Sequence, residues 1–291
     1  MLCPNLESVS LVVAWFGTDL RAGDCKIKAM VSHNDSKAMS MEWQVSGLNR
    51  EDAQVVSRHN GAVAYGGTPT DRSVMEAIKA IHARGLKVAL YPFIMMDVPA
   101  DNTLPDPYGG GSQAAYPWRG RITCHPAPSR AGTPDKSSTV RAEIKAFGGT
   151  ARPGQFHLDG KTVRFTGRRE EWSYRRFLLH YAHVAAAAGG VEAFLIGSEL
   201  RGLTTLRDHQ NHFPFVELLE ELATETRGIL GDETAITYAA DWTEYFGHRP
   251  SDGSGDVFFH LDSLWAHPAI TAVGIDNYMP LSDWRDQDVG G

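Results

Sequence analysis

In this 291-residue sequence, carboxylates and aromatic rings recur just past short apolar runs. In 194–203 (FLIGSELRGL) an apolar run delivers Glu199, with Arg201 two positions on. Cleavage of a glycosidic bond needs one carboxylic acid to protonate the leaving oxygen and a second carboxylate as nucleophile or base. A glutamate at the mouth of a largely apolar barrel is desolvated, which suits the acid role; the alternative is that Glu199 simply pairs with Arg201 or another arginine. In 240–245 (ADWTEY), Asp241, Trp242 and Glu244 again stand at the end of an apolar run. Rings of this kind stack on sugar faces and carboxylates bind sugar hydroxyls; equally, Asp241 or Thr243 caps a helix and Trp242 packs. In 274–281 (GIDNYMPL), Asp276 and Tyr278 follow a third run, where Asp276 either orients the acid, binds a hydroxyl or is a structural carboxylate. Tyr91 with Phe93, Asp97, and Asp19 with Arg21 are weaker members of the same ring.

Other chemistries find less support. His180 and His183, and His209 and His212, lie three apart but without a carboxylate in a ligand pattern, so no metal site is expected. No GxSxG or P-loop is present, and 16–19 (FGTD) is not a dinucleotide fingerprint; no cofactor is expected. Lys and Arg number 28 against 35 Asp and Glu, for a net charge of −7, which argues against a nucleic-acid partner. The composition is 42% hydrophobic and 22% charged, which excludes a disordered or collagen-like chain. No apolar run approaches the ~18 residues that span a bilayer, and the N-terminus lacks a signal-peptide pattern. Cys3, Cys25 and Cys124 form neither a disulfide framework nor a zinc signature. Three free thiols in a reducing compartment is the plain reading, and a Cys3–Cys25 bridge the alternative for a chain assembled outside the cell. Asn34-Asp35-Ser36 matches a glycosylation sequon that means little without a secretory route.

The elements that must position these residues alternate between strand and helix. Apolar runs at 11–16, 62–65, 87–96, 193–196, 235–240 and 272–275 predict six strands buried on both faces. Helical periods start at Asp71, with Thr70 or Asp71 as cap and Gly85 beyond its end, at Glu170, stopped by Gly189-Gly190, and at Phe213. A short helix is expected over 48–56. Such a repeat predicts an α/β fold with right-handed crossovers. Because the carboxylates, aromatics and arginines follow nearly every strand, a (β/α)8 TIM barrel is preferred to an open doubly wound sheet, since a barrel brings all those positions to one face. Residues 99–167 hold eight of the 15 prolines and a Gly109-Gly110-Gly111 run. They show no sustained helical period, and Asp159-Gly160 marks a hairpin. With 116–121 (YPWRGR) too aromatic for a linker, this segment reads as an insertion after the third strand, lying over the barrel mouth. The whole of 1–291 is read as one domain.

Several of these motifs carry a resemblance. Residues 194–203, 116–124 (YPWRGRITC), 272–284 (AVGIDNYMPLSDW), 11–23 (LVVAWFGTDLRAG) and 91–98 (YPFIMMDV) resemble the glycoside-hydrolase-like TIM-barrel domain of phage-tail and gene-transfer-agent host-recognition proteins. The sequence is also similar to β-mannanase-like glycoside hydrolases, whose acid/base glutamate follows the fourth strand; the matching position is Glu199. The resemblance implies a retaining hydrolase of cell-envelope glycan, or else a non-catalytic glycan-binding or structural module of the tail tip. It implies Glu199 as the catalytic residue; Asp19, Tyr91, Asp97, Trp118, Arg119, Ser198, Arg201, Asp241, Trp242, Glu244, Asp276, Asn277 and Tyr278 are read as the substrate-binding residues around it. Expected partners are envelope polysaccharide or peptidoglycan and other tail or baseplate proteins. The expected location is a virion or gene-transfer-agent tail particle, reached from the cytoplasm without a signal peptide. Two departures stand out. Ser198 occupies the position where those hydrolases carry an asparagine for the sugar 2-hydroxyl. Only about six β/α units precede Gly291, so the barrel is expected to be incomplete, with the strand-7 nucleophile beyond the chain and the fragment alone inactive.

Overall fold

A computed structural model describes residues 3–34 and 42–278. Five strands form one parallel sheet: β1 (Ser8–Gly17), β2 (Lys87–Met96), β3 (Ala193–Ser198), β4 (Ala235–Asp241) and β5 (Gly274–Asp276). Their spatial order is β5-β4-β3-β2-β1, with Ile27–Lys28 antiparallel at the β1 edge. Chain order and spatial order coincide. A doubly wound sheet reverses its strand order at a switch point; this sheet never does, so each crossover adds the next strand on the same side, as in the wall of a barrel. The fold is α/β and TIM-barrel-like, a partial barrel among the described residues.

Two expectations about strands are corrected. The 62–65 run is not a sheet strand: Ala62–Val63 pairs with Arg58–His59 in a small exposed hairpin. The reason is that β1 and β2 pair directly along their full ten-residue lengths, from Ser8↔Lys87 to Gly17↔Met96, which leaves no place between them. Glu199 therefore follows the third parallel strand rather than the fourth, and the insertion follows the second. The strands are also not buried on both faces. In β2, Val88, Leu90, Pro92, Ile94 and Met96 are buried, whereas Tyr91, Phe93 and Met95 are half-buried.

The buried face packs on helices. These are α1 (Asp71–His82), α2 (Ser138–Gly148), α3 (Tyr174–Ala188) and α4 (Pro214–Leu230). α3 is buried on nearly every side because it lies between the sheet and its neighbours α1 and α4. Trp15 of β1 meets Phe177 and Tyr181 of α3 at ring-centroid distances of 5.5 and 6.2 Å. Gly189, at φ +108°, ends α3 as a left-handed cap. The buried Asp71 carboxylate accepts from Thr162 Oγ1 at 2.7 Å and the Val163 amide at 2.9 Å and lies 2.9 Å from His180 Nε2. It thereby ties α1 and α3 to the 156–165 hairpin instead of capping its own helix.

The insertion is less irregular than its prolines suggest, since it contains the eleven-residue α2. The hairpin signal holds: Phe156–Asp159 pairs antiparallel with Thr162–Phe165. The helix expected over 48–56 is only a three-residue 3-10 turn at Arg50–Asp52. All three cysteines are free. No helix among the described residues is long and apolar enough to cross a membrane.

Candidate functional site

The site lies at the C-terminal end of β3. Between Leu195 and Ser198 the pairing with β4 slips, three steps on β3 matching two on β4 (Leu195↔Thr237, Ser198↔Ala239). This is a β-bulge, a device that re-aims the residues following it. Gly197 sits in the bulge at φ +146°, and a Cβ there would lie 2.1 Å from the Tyr174 hydroxyl, so only glycine fits. The bulge throws Glu199 into the left-handed region at φ +51°, a conformation that non-glycine residues hold only when the surroundings fix it. Three hydrogen bonds do so. Tyr174 donates to the Ile196 carbonyl at 2.6 Å, the Glu199 amide donates to the Ala239 carbonyl at 2.9 Å, and the Leu200 amide donates to the Tyr238 hydroxyl at 2.7 Å.

Glu199 is 2% exposed. Trp118 and Arg119, from the proline-rich insertion, close over it. Trp118 Nε1 donates to Oε2 at 3.0 Å, and Arg119 Nη2 lies 2.6 Å from the same oxygen. Arg119 also donates to the Ser198 carbonyl at 3.0 Å and to Ser198 Oγ at 2.6 Å, and its guanidinium stacks 3.6 Å over the Phe93 ring. The same Nη2 is 4.0 Å from Asp276 Oδ2. Arg119 thus stands between the two carboxylates. Asp276 Oδ2 further accepts from Tyr91 at 2.7 Å and Ser198 at 2.9 Å. Burial first, then the hydrogen bond to Asp276, push the Tyr91 hydroxyl well above its ordinary range, against the bond to Ser198. Desolvation, then the hydrogen bond to Glu199, raise Tyr278 to about 12, so both phenols stay protonated donors at neutral pH.

Glu199, Ser198, Asp276, Tyr91, Trp118, Arg119 and Tyr278 are thus one hydrogen-bonded cluster. Asn277, next to Asp276, is exposed. The partner of Glu199 is Arg119 rather than Arg201, which donates instead to Thr243 Oγ1 at 3.0 Å.

Glu244 forms a second, deeper centre. It is 1% exposed and accepts from Thr204 Oγ1 at 2.5 Å, Tyr238 at 3.1 Å and the Asp241 amide at 3.0 Å. Its carboxyl is pushed up to about 7, by burial first, against those donors. Tyr238, bonded both to Glu244 and to the Leu200 amide, joins this centre to the Glu199 turn. Asp241 caps the turn that follows β4, accepting from the Thr243 amide at 2.9 Å and from the Thr243 hydroxyl; Trp242 is half-buried on that turn.

Asp19 and Asp97 join other networks. Asp19 pairs with Arg21 at 2.7 Å and accepts from Gln113 Nε2 at 2.7 Å. Asp97 accepts from the Ser57 amide at 3.0 Å and from the Ser57 hydroxyl at 2.5 Å.

Beside Trp118 opens a cleft of about 880 Å³. Trp118, Tyr108, Arg201, Thr243, Glu244 and Phe246 are among its lining residues, so one face of the indole looks into the cleft while its Nε1 holds Glu199. Among the described residues no group of three or more His, Cys, Asp or Glu side chains is arranged to hold a metal ion.

Gly197, Tyr174 and Tyr238 are the parts that the sequence analysis does not single out for the site. A glycine inside a strand run is itself a bulge signal. Tyr174 carries no such mark, because it reaches the site from a helix. Part of the sequon (Asp35 and Ser36) and the end of the 272–284 motif (Met279 to Trp284) lie outside the described residues.

The model of a family described as a GTA TIM-barrel-like domain matches residues 172–290, which takes in β3, β4 and β5 and the Glu199 and Asp276 turns. Among solved structures, a complex of a GH113 β-1,4-mannanase superposes with a TM-score of 0.45 at 16% identity, covering 96% of this chain and 53% of its own. A GH113 β-mannanase from Alicyclobacillus acidocaldarius in complex with ManMIm gives 0.32 at 22% identity, covering 66% of this chain and 43% of its own. The chain spans about half the length of these structures. A comparison with curated protein sequences finds no match.

Proposed function

We propose that this chain is the glycan-directed barrel of a phage-tail or gene-transfer-agent particle, and that it belongs to a retaining glycoside hydrolase acting on cell-envelope polysaccharide or peptidoglycan, with Glu199 as acid/base. The observation that carries this reading is the construction around Glu199: a bulge, an obligatory glycine and a left-handed backbone together place one carboxylate under an aromatic and cationic cover. Strain of that kind collects at working sites. With Oε2 taken by Trp118 and Arg119, Oε1 is the oxygen that hands the proton to the leaving group. Asp276 holds Tyr91, Ser198 and, at longer range, Arg119 in place, and the nucleophile is a carboxylate outside the described residues. Similarity to a GTA TIM-barrel-like domain supports the particle setting, in which other tail or baseplate proteins are the partners.

A second reading, glycan binding without turnover, is favoured by Ser198. Its hydroxyl is spent on Arg119 and Asp276 and it is 3% exposed, so it faces the protein rather than a sugar. Digestion of envelope glycan by the full-length protein and by its Glu199→Gln variant separates the two. Release by the parent and loss in the variant supports hydrolysis; binding by both with no release supports the second reading; equal release by both removes Glu199 from the chemistry.

A further inference from the structure

The cleft beside Trp118 has a charge pattern that the chain as a whole does not share. Five cationic side chains line it, Arg121, Lys136, Arg201, Arg207 and Arg249. Arg207 is held by Asp135 and Asp252, both at 3.0 Å, and Lys136 by Asp252 at 3.2 Å. The third acid on the wall, Glu244, is buried in its own network. That leaves Arg121, Arg201 and Arg249 with no carboxylate partner among the described residues. Arg121 lies 4.4 Å over the Tyr108 ring and Arg201 bonds Thr243; all three are exposed. Three uncompensated guanidinium groups around one concavity, in a chain of net charge −7, focus positive potential there. His248 and His260, on the same wall, register that field. Both are pushed down to about 4, by burial first, with Arg201 among the charges that lower them. Trp118, Tyr108 and the 59% exposed Phe246 add flat apolar faces between the charges.

We infer that this cleft binds an anionic glycan. Carboxylate or phosphate groups on the repeat pair with Arg121, Arg201 and Arg249, the sugar rings lie on the aromatic faces, and Trp118 leads the polymer to Glu199. Arginine suits this task because its planar fork matches carboxylate and phosphate oxygens alike. The inference rests on the glycan reading above and adds the substrate class.

The test is equilibrium binding of the protein to polygalacturonate, to a polyphosphodiester teichoic acid and to neutral mannan, at low and high salt, with a DNA oligonucleotide as a further arm. The Arg121→Gln, Arg201→Gln and Arg249→Gln variants are measured alongside, their folding checked by thermal midpoint. Tighter binding of either anionic polymer than of mannan, weakening with salt and falling about tenfold per arginine removed, is the expected result; the preferred polymer decides between carboxylate and phosphate. Equal affinity for mannan, or anionic binding indifferent to all three substitutions, overturns the inference and leaves the glycan reading standing. Preference for DNA over every glycan overturns the inference as well. No binding of any glycan overturns the glycan reading itself.

Discussion

The Tyr174 hydroxyl donates a 2.6 Å hydrogen bond to the carbonyl of Ile196, the residue just before the obligatory glycine of the bulge. A helix side chain thus satisfies a backbone group at the point where the pairing of β3 with β4 slips, and the bulge that aims Glu199 depends on it. Gly197→Ala puts a methyl 2.1 Å from that hydroxyl and is expected to cost about 3 kcal/mol or more. Tyr174→Phe removes the obstructing oxygen, so the double variant should lose less than the two single losses added. Urea denaturation of the four proteins measures this coupling, and strict additivity would contradict it.

Arg119 and Glu199 are both buried, with side chains 6% and 3% exposed. Removing one partner strands the other charge away from water. Arg119→Met is therefore expected to destabilise the fold by about 3–5 kcal/mol, and adding Glu199→Gln should recover much of the loss. A double variant no more stable than Arg119→Met would show that the pair is not coupled.

Glu244 makes stability depend on pH. Its carboxyl titrates near 7 in the fold against an ordinary 4.5, so the folded state holds a proton that the unfolded chain releases. The stabilisation is complete below about 4.5 and disappears as pH rises through 7, a change of about 3 kcal/mol. Relative to Glu244→Gln, the parent should lose stability between pH 5 and 8. The comparison matters because the half-buried His248 and the buried His260, depressed to about 4, work in the opposite sense: their contribution is present above pH 6.5 and lost as pH falls toward 4. A parent-minus-variant difference that stays flat across pH 5–8 would contradict the assignment.

Cys25 and Cys124 are buried, with thiols that desolvation pushes to about 12, whereas Cys3 is exposed. Only thiolate reacts with disulfide reagents at useful rates. One thiol should titrate in the native protein and three in denaturant, and a native count of two or more would contradict this placement.

Much of this arrangement is legible in the sequence, for reasons that particular residues make plain. The apolar runs at 193–196 and 235–240 are short, compact and followed at once by polar residues, so the carboxylates past their ends are easy to find. The run at 62–65 has the same apolar look, yet what excludes it from the sheet is the direct ten-residue pairing of β1 with β2, a long-range fact that no local pattern carries. Arg119 follows the same logic from the other side. Its composition marks the insertion as more than a linker, but the ion pair with Glu199 exists only once the segment folds back across the sheet. The bulge is partly visible, through Gly197, whereas the Tyr174 that supports it is indistinguishable from any core aromatic of an apolar helix.

The acid role of Glu199 is tested most directly by leaving-group dependence. Protonation matters for a sugar alkoxide and hardly at all for an activated phenolate, which departs without a proton. In the full-length protein, Glu199→Gln should lose about 100-fold or more in turnover on the natural glycan and only a few-fold in glycosylation by a dinitrophenyl glycoside of the same sugar. Equal losses on both substrates, or none on either, would contradict the assignment of Glu199 as the acid.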